Sequence, residues 1–129
     1  MCAGQTADIA AENKEISPAE LNYIHEHKTA DLIIAALLLG ALAGGADKEA
    51  LTALNKYGEM YGLAFQITDD ILDVIGDEKK LGKKVGSDDK NHKVTFATLY
   101  GVNKAQKMAE KAVNEAKAAL SSLKGDTAD

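Results

Sequence analysis

The sequence contains no arginine and no tryptophan, and it has one proline and one cysteine. Proteins that bind nucleic acids depend heavily on arginine and on basic patches for their phosphate and base contacts. This chain instead carries a net charge of -5, so we expect no nucleic-acid partner. The single cysteine, Cys2, cannot form an internal disulfide, and no secretory leader with a cleavage site is visible. The expected location is the cytoplasm.

Patterns typical of β-strands and of membrane spans are also missing. No run alternates Val, Ile or Thr with polar residues, whereas the helix-forming residues Ala, Leu, Lys and Glu are abundant. The longest uncharged run, residues 32–46, is shorter than the roughly 20 residues that a membrane span requires. The sequence therefore predicts an all-α domain without a membrane span.

Local capping signals predict where the helices begin. Ser17, Pro18 and Glu20 form the pattern of an N-cap, a first helical residue and a capping box, which predicts a helix over residues 18–44. Asp47 is the predicted N-cap of a helix that extends to residue 75 and ends at Gly76. The other predictions are helices over residues 1–13, 93–100 and 103–123, a polar loop over residues 78–91, and a frayed end over residues 124–129.

The uncharged run has a consequence for the size of the fold. A helix that is apolar on all sides needs protein on all sides, and the remaining elements of this chain are barely sufficient to surround it. We therefore expect the chain to be part of a larger helical bundle.

Three carboxylates occur within five residues of the third predicted helix. At 100° per residue, Asp69, Asp70 and Asp73 share one face with Gln66. Like charges at this spacing repel one another unless a cation lies between them or water solvates them. Mg2+ is commonly held by carboxylates together with substrate phosphates. A Mg2+ site and a solvated acidic face both remain open at this point.

The apolar residues of this helix are expected to face the core: Leu63, Ile67, Ile71 and Val74.

Basic residues follow the carboxylates along the chain. Ammonium groups beside a metal ion would neutralise a diphosphate, although the same lysines taken alone also fit an ordinary solvated loop. The lysines concerned are Lys79, Lys80, Lys83, Lys84, Lys90 and Lys93.

Several motifs together resemble a known family. The segment FQITDDILD at residues 65–73, with the glycines and lysines that follow it, resembles the second aspartate-rich region of trans-isoprenyl diphosphate synthases. The bacterial farnesyl diphosphate synthase type is the most similar. Gly4, Gln5 and Asp8 resemble the GQxxD segment of that family, and residues 25–29, HEHKT, resemble its HxKT segment. The order and spacing agree over nearly the whole chain.

This resemblance implies a fold, a reaction and a cofactor. The fold is an antiparallel helical bundle, of which residues 1–129 are the C-terminal portion of the isoprenoid synthase domain. The reaction condenses isopentenyl diphosphate with an allylic diphosphate to give farnesyl or geranylgeranyl diphosphate. The implied cofactor is Mg2+, with Asp69 as a direct ligand and Asp70 and Asp73 nearby or acting through water.

The resemblance also implies substrate contacts. Lys28 and Lys83 contact the allylic diphosphate, while Thr29 and Gln66 stabilise the carbocation. Phe65 lines the pocket of the homoallylic substrate. The remaining residues expected at the cavity are Gln5, Asp8 and Lys93.

Two parts of the family pattern are missing from this sequence. It has neither a first aspartate-rich motif nor the arginines that hold the homoallylic diphosphate. We therefore expect the chain to be inactive alone and to associate, as a homodimer or in another assembly.

Two alternatives to a prenyltransferase are a non-catalytic helical interaction module and a terpene cyclase. The usual Asn, Ser and Glu metal motif of terpene cyclases is not seen here.

Overall fold

The computed structural model describes residues 2–76, 93–121 and 123. All regular elements of this part of the chain are helical, which confirms the all-α prediction. The elements are α1 (Cys2–Ala11), α2 (Pro18–His25), a π-helical turn (Glu26–Ala30), α3 (Asp31–Ala43), α4 (Lys48–Ile75), α5 (Phe96–Tyr100) and α6 (Val102–Leu120).

The capping box at the start of α2 is present as predicted. The Ser17 hydroxyl accepts the Glu20 amide at 3.2 Å, and the Glu20 carboxylate accepts the Ser17 amide at 2.8 Å. The single helix predicted over residues 18–44 is nevertheless interrupted, because Glu26–Ala30 adopts π-helical hydrogen bonding between α2 and α3. A π-helical turn widens the helix locally and is frequent at functional sites.

A tight connection joins α3 to α4. Gly45 adopts a φ of 76°, and the amide of Ala46 donates to the carbonyl of Ala41 at 2.9 Å, which is the bonding of a Schellman motif. The Asp47 carboxylate then accepts the Ala50 amide at 2.8 Å and caps α4, as the sequence predicts. The helix ends at Gly76, also as predicted.

The long helix α4 is central and packs against α3, the π turn, α5 and α6. Its most buried side chain is Ile67, which is 0% exposed and packs with Phe96 and Leu21. The prediction for Val74 is wrong: it is 52% exposed, because α4 has no neighbour on that side within the described residues. Small residues on one face of α6 allow it to lie close to α4: Ala105, Ala109, Ala112 and Ala116.

The last two helices begin at positions other than those predicted. Thr95 is the N-cap of α5 and accepts the Thr98 amide at 3.1 Å, so this helix starts at Phe96 and not at residue 93. Gly101, with a φ of 79°, separates α5 from α6, which ends at Leu120. The loop predicted over residues 78–91 and the frayed end over residues 124–129 lie outside the described residues.

The apolar helix α3 is covered on one side only. It packs on α4, and none of its residues is buried. Leu32, Leu39 and Leu42 are 57%, 68% and 58% exposed, so residues 2–76 and 93–121 do not supply the enclosure that the sequence predicts for α3. None of the described helices combines the length and the apolar character needed to cross a membrane.

Candidate active site

Two glycines allow α1 and α4 to pack directly on the π turn. A Cβ atom on Gly4 would lie 2.1 Å from the backbone nitrogen of Lys28. A Cβ atom on Gly62 would lie 2.6 Å from the Cβ atom of Ala30. Both distances are far below van der Waals contact. The absence of side chains at these two positions therefore brings the backbone of the π turn into the centre of the site.

The π turn contacts α4 through a side-chain hydrogen bond. The Thr29 hydroxyl donates to the Oε1 atom of Gln66, which lies one helical turn after Gly62. Gln66 itself is buried. Since the hydroxyl proton is directed towards the amide, the lone pairs of the Thr29 oxygen remain available to positive charge.

A second contact joins three segments through one carboxylate. The Oδ2 atom of Asp8, on α1, accepts from Lys28 Nζ at 2.9 Å and from Lys93 Nζ at 3.0 Å. Lys93 also lies 3.5 Å from Glu12, one turn further along α1. Burial acts to raise the pKa of Asp8, but its bonds and charge interactions with the two lysines outweigh this and lower that pKa below its ordinary value. The carboxylate is therefore ionised at neutral pH and holds two ammonium groups together.

A third contact ties α4 to the start of α5. The Oδ2 atom of Asp70 accepts the backbone amide of Phe96 at 2.8 Å, and Nε2 of His25 lies 3.5 Å from the same oxygen. Asp70 is 5% exposed. The ring of His25 stacks on Phe96 with 5.2 Å between the ring centroids. The Asp70 carboxylate is thus a buried hydrogen-bond acceptor for a backbone amide.

These contacts surround a small cavity of about 60 Å³. Six of the residues predicted to form the site line it: Asp8, Lys28, Gln66, Asp69, Asp70 and Lys93. Thr29 does not line the cavity, but it donates a hydrogen bond to Gln66, which does. A negatively charged group entering here would meet the ammonium groups of Lys28 and Lys93 and the carboxylate of Asp69.

The other predicted site residues are placed elsewhere. Gln5 is exposed and does not line the cavity. Phe65 is 53% exposed and lines a shallow groove of about 240 Å³ between α4 and α6, which Asp69 also borders. Asp73 is buried but does not line the cavity. Lys83 lies outside the described residues.

The carboxylate of Asp69 suits a Mg2+ ion whose remaining ligands are water molecules and phosphate oxygens. No three His, Cys, Asp or Glu side chains of the described segments are grouped closely enough to hold a metal by themselves. Mg2+ usually keeps several waters and is bound by one or two carboxylates together with substrate phosphates. Asp69, at the edge of the cavity, is suited to that arrangement.

Comparison with known proteins identifies the family. Residues 1–125 match the sequence model of the polyprenyl synthetases. The chain belongs to the polyprenyl synthetase family. This confirms the family relationship that the motifs predict.

Individual polyprenyl synthetases align with nearly all of the chain. It is 45% identical over 130 residues to the farnesyl diphosphate synthase of Escherichia coli (strain K12), which aligns with 100% of this chain. It is also 45% identical over 121 residues to a dimethylallyltranstransferase of Fischerella ambigua (strain UTEX 1903), which aligns with 93% of this chain. The chain spans 44% and 35% of these two relatives.

Solved structures of polyprenyl synthetases share the fold. The geranyltransferase from Helicobacter pylori complexed with magnesium and isoprenyl diphosphate superposes with a TM-score of 0.85 at 37% identity, over 99% of this chain and 41% of that one. The geranylgeranyl pyrophosphate synthetase from Pyrococcus horikoshii Ot3 superposes with a TM-score of 0.81 at 30% identity, over 96% of this chain and 49% of that one.

Two residues beside the candidate site were not predicted from the sequence. Glu12 contacts Lys93, and its position four residues after Asp8 on α1 was the available signal. His25 is buried between Asp70 and Phe96, a contact that no spacing in the sequence indicates.

Proposed function

We propose that this chain forms the C-terminal part of a trans-prenyltransferase that condenses isopentenyl diphosphate with an allylic diphosphate, giving farnesyl or geranylgeranyl diphosphate. The supporting observation is the cavity in which Lys28, Lys93 and Asp69 converge beside the Thr29–Gln66 pair. The reactions named for the relatives from E. coli and F. ambigua support the same class of substrate.

The residues of the cavity suit the loss of a diphosphate leaving group. Lys28 and Lys93 would bind the diphosphate oxygens, and their positive charge would stabilise the electron pair that leaves with the broken C–O bond. Mg2+ held by Asp69, with Asp73 and the charge of Asp70 close by, would supply further neutralisation of the leaving group. The Thr29 oxygen would face the allylic cation that remains.

The second half of the reaction forms a carbon–carbon bond. The double bond of isopentenyl diphosphate attacks the allylic cation, and a proton then leaves the new cation for an oxygen of the released diphosphate. We assign the groove beside Asp69 to the homoallylic substrate, with Phe65 along it. Lys83 is proposed as a further diphosphate contact and Gln5 as a residue near the cavity entrance.

We infer that this chain is inactive alone. The relatives are more than twice as long as the part that it matches, and the sequence has no arginine for the second diphosphate. The exposed leucines of α3 favour association with another chain, as a homodimer or with a polypeptide that supplies the other helices. A sedimentation mass of one chain would contradict this association.

A product assay tests the proposal. The chain is incubated with Mg2+, isopentenyl diphosphate and geranyl diphosphate, alone and with the N-terminal part of the E. coli relative, and the prenyl products are separated by chromatography. Product is expected only in the complemented mixture, and the substitution Asp69→Asn should strongly reduce its rate of formation at limiting Mg2+. Glu115→Gln, on the exposed side of α6, is the matched control and should leave product formation unchanged.

The possible outcomes have distinct meanings. Product from the chain alone would show that the site is complete without the missing helices, contrary to the proposal. No product in either mixture would favour the non-catalytic interaction module instead.

A further inference from the structure

We propose that Asp70 is a positioning residue, which fixes the start of α5 and thereby places Lys93, and that it is not a ligand of the metal ion. The fixing of α5 does not depend on the proposed function. The consequence for the binding of diphosphate by Lys93 and of Mg2+ by Asp69 does rest on the proposed function. This consequence gives Asp70 a different role from its neighbour Asp69.

The first step is the hydrogen bonding at the start of α5. The Thr95–Thr98 capping box satisfies two amides: Thr98 donates to Thr95 Oγ1 at 3.1 Å, and Thr95 donates to Thr98 Oγ1 at 2.8 Å. The box leaves the amide of Phe96 without an acceptor inside the helix. Asp70 Oδ2 accepts that amide at 2.8 Å, although it lies 26 positions earlier in the chain.

The second step is burial. Asp70 is 5% exposed and Phe96 is 2% exposed, so water cannot readily replace either partner. A buried amide without an acceptor is strongly unfavourable. A hydrogen bond from an amide to a carboxylate is also stronger than one to a neutral acceptor. His25 covers the same oxygen at 3.5 Å and stacks on the Phe96 ring. Direct ligation by this oxygen would require Mg2+ to compete with both contacts.

The third step connects Asp70 to the diphosphate. Lys93 precedes Phe96 by three residues, and its ammonium group meets Lys28 at Asp8. Holding the Phe96 amide limits the positions that Lys93 can reach. Asp69 and Asp70 both line the cavity, but Asp70 accepts the Phe96 amide whereas Asp69 also borders the neighbouring groove, so the two adjacent carboxylates have different roles.

Two substitutions of Asp70 separate the loss of its charge from the loss of its hydrogen-bond acceptor. Asp70→Asn removes the charge but keeps an oxygen that can accept the Phe96 amide, whereas Asp70→Ala removes the acceptor. Asp69→Asn is the matched control on the adjacent residue. The amide of Phe96 is followed in the 15N-labelled chain by its NMR chemical shift and its hydrogen-exchange protection.

The expected results differ between the three variants. Asp70→Ala should shift the Phe96 amide resonance and abolish its protection, Asp70→Asn should preserve the protection, and Asp69→Asn should leave this amide unchanged. A Phe96 amide that is insensitive to Asp70→Ala would overturn the proposal. This measurement requires no catalysis, so it decides the fixing of α5 even if the proposed function fails.

The role in the reaction is tested in the complemented enzyme. Asp70→Ala should raise the KM for the allylic diphosphate while leaving the Mg2+ concentration for half-maximal activity unchanged, and Asp70→Asn should restore the KM. Asp69→Asn should raise the Mg2+ requirement at least about tenfold. If Asp70→Asn raised the Mg2+ requirement as much as Asp69→Asn does, Asp70 would be a ligand and the inference would be wrong.

Discussion

Close packing between α4 and the π turn depends on Gly62, and its replacement by alanine has a predictable cost. The new Cβ atom would lie 2.6 Å from Ala30 Cβ and 2.8 Å from Ala30 Cα. Carbon atoms that are not bonded approach to about 3.5–4.0 Å, so the two segments must separate by about 1 Å. Because a backbone-attached carbon cannot rotate away, we expect the packing cost of about 1–3 kcal/mol that is typical of overfilled sites.

Helix propensity offsets part of this cost. Alanine is favoured over glycine inside a helix by about 1 kcal/mol, so the net loss expected for Gly62→Ala is up to about 2 kcal/mol, with about 1 kcal/mol as the central value. Gly40→Ala is the matched control, because Gly40 lies in the interior of α3 and a Cβ atom there meets nothing within 4 Å. That substitution should raise the free energy of unfolding by about 0.5–1 kcal/mol.

Urea unfolding followed by circular dichroism measures both variants. For a urea dependence of roughly 2 kcal/mol/M, a net loss of about 1 kcal/mol in Gly62→Ala should lower the midpoint by about 0.5 M, while Gly40→Ala should raise it. The same separation should lengthen the hydrogen bond between Thr29 and Gln66, which lies one turn away. A Gly62→Ala variant as stable as Gly40→Ala would refute the close packing on which the geometry of the site depends.

Two further predictions concern the start of α2 and the lysine pair. Ser17→Ala should lower the free energy of unfolding by about 1 kcal/mol because it removes an N-cap. The control Thr6→Ala, at an exposed position, should change it by less than about 0.5 kcal/mol. Equal effects of the two substitutions would contradict the capping argument. Although burial opposes it, Lys28 and Lys93 lower the pKa of Asp8, so its contribution to stability is complete above its unfolded-state pKa of about 4 and is lost as the pH falls through the lowered folded-state value. The difference in urea midpoint between the unmodified chain and Asp8→Asn should therefore shrink from pH 6 to pH 2, and a constant difference would contradict the assignment.

Two helix starts that depend on neighbouring residues could be predicted, whereas the interruption of a helix by contacts from distant residues could not. Ser17 and Asp47 cap their helices with side chains that are one turn away in sequence, so local patterns identified both. The π turn instead depends on the close approach of Gly4 and Gly62 from two other helices. No pattern within residues 26–30 reports that approach, and the sequence accordingly predicted an uninterrupted helix.

The same limit applies to the carboxylates of the candidate site. A helical wheel places Asp69 and Asp70 100° apart and treats both as members of one polar face. Both line the cavity, and which of them also accepts a backbone amide depends on where α5 begins. The helix α5 begins where Asp70 supplies the acceptor for Phe96. The aspartate motif and the position of α5 are therefore mutually dependent. A pattern read along α4 alone can identify the charged groups, but it cannot assign a different task to each.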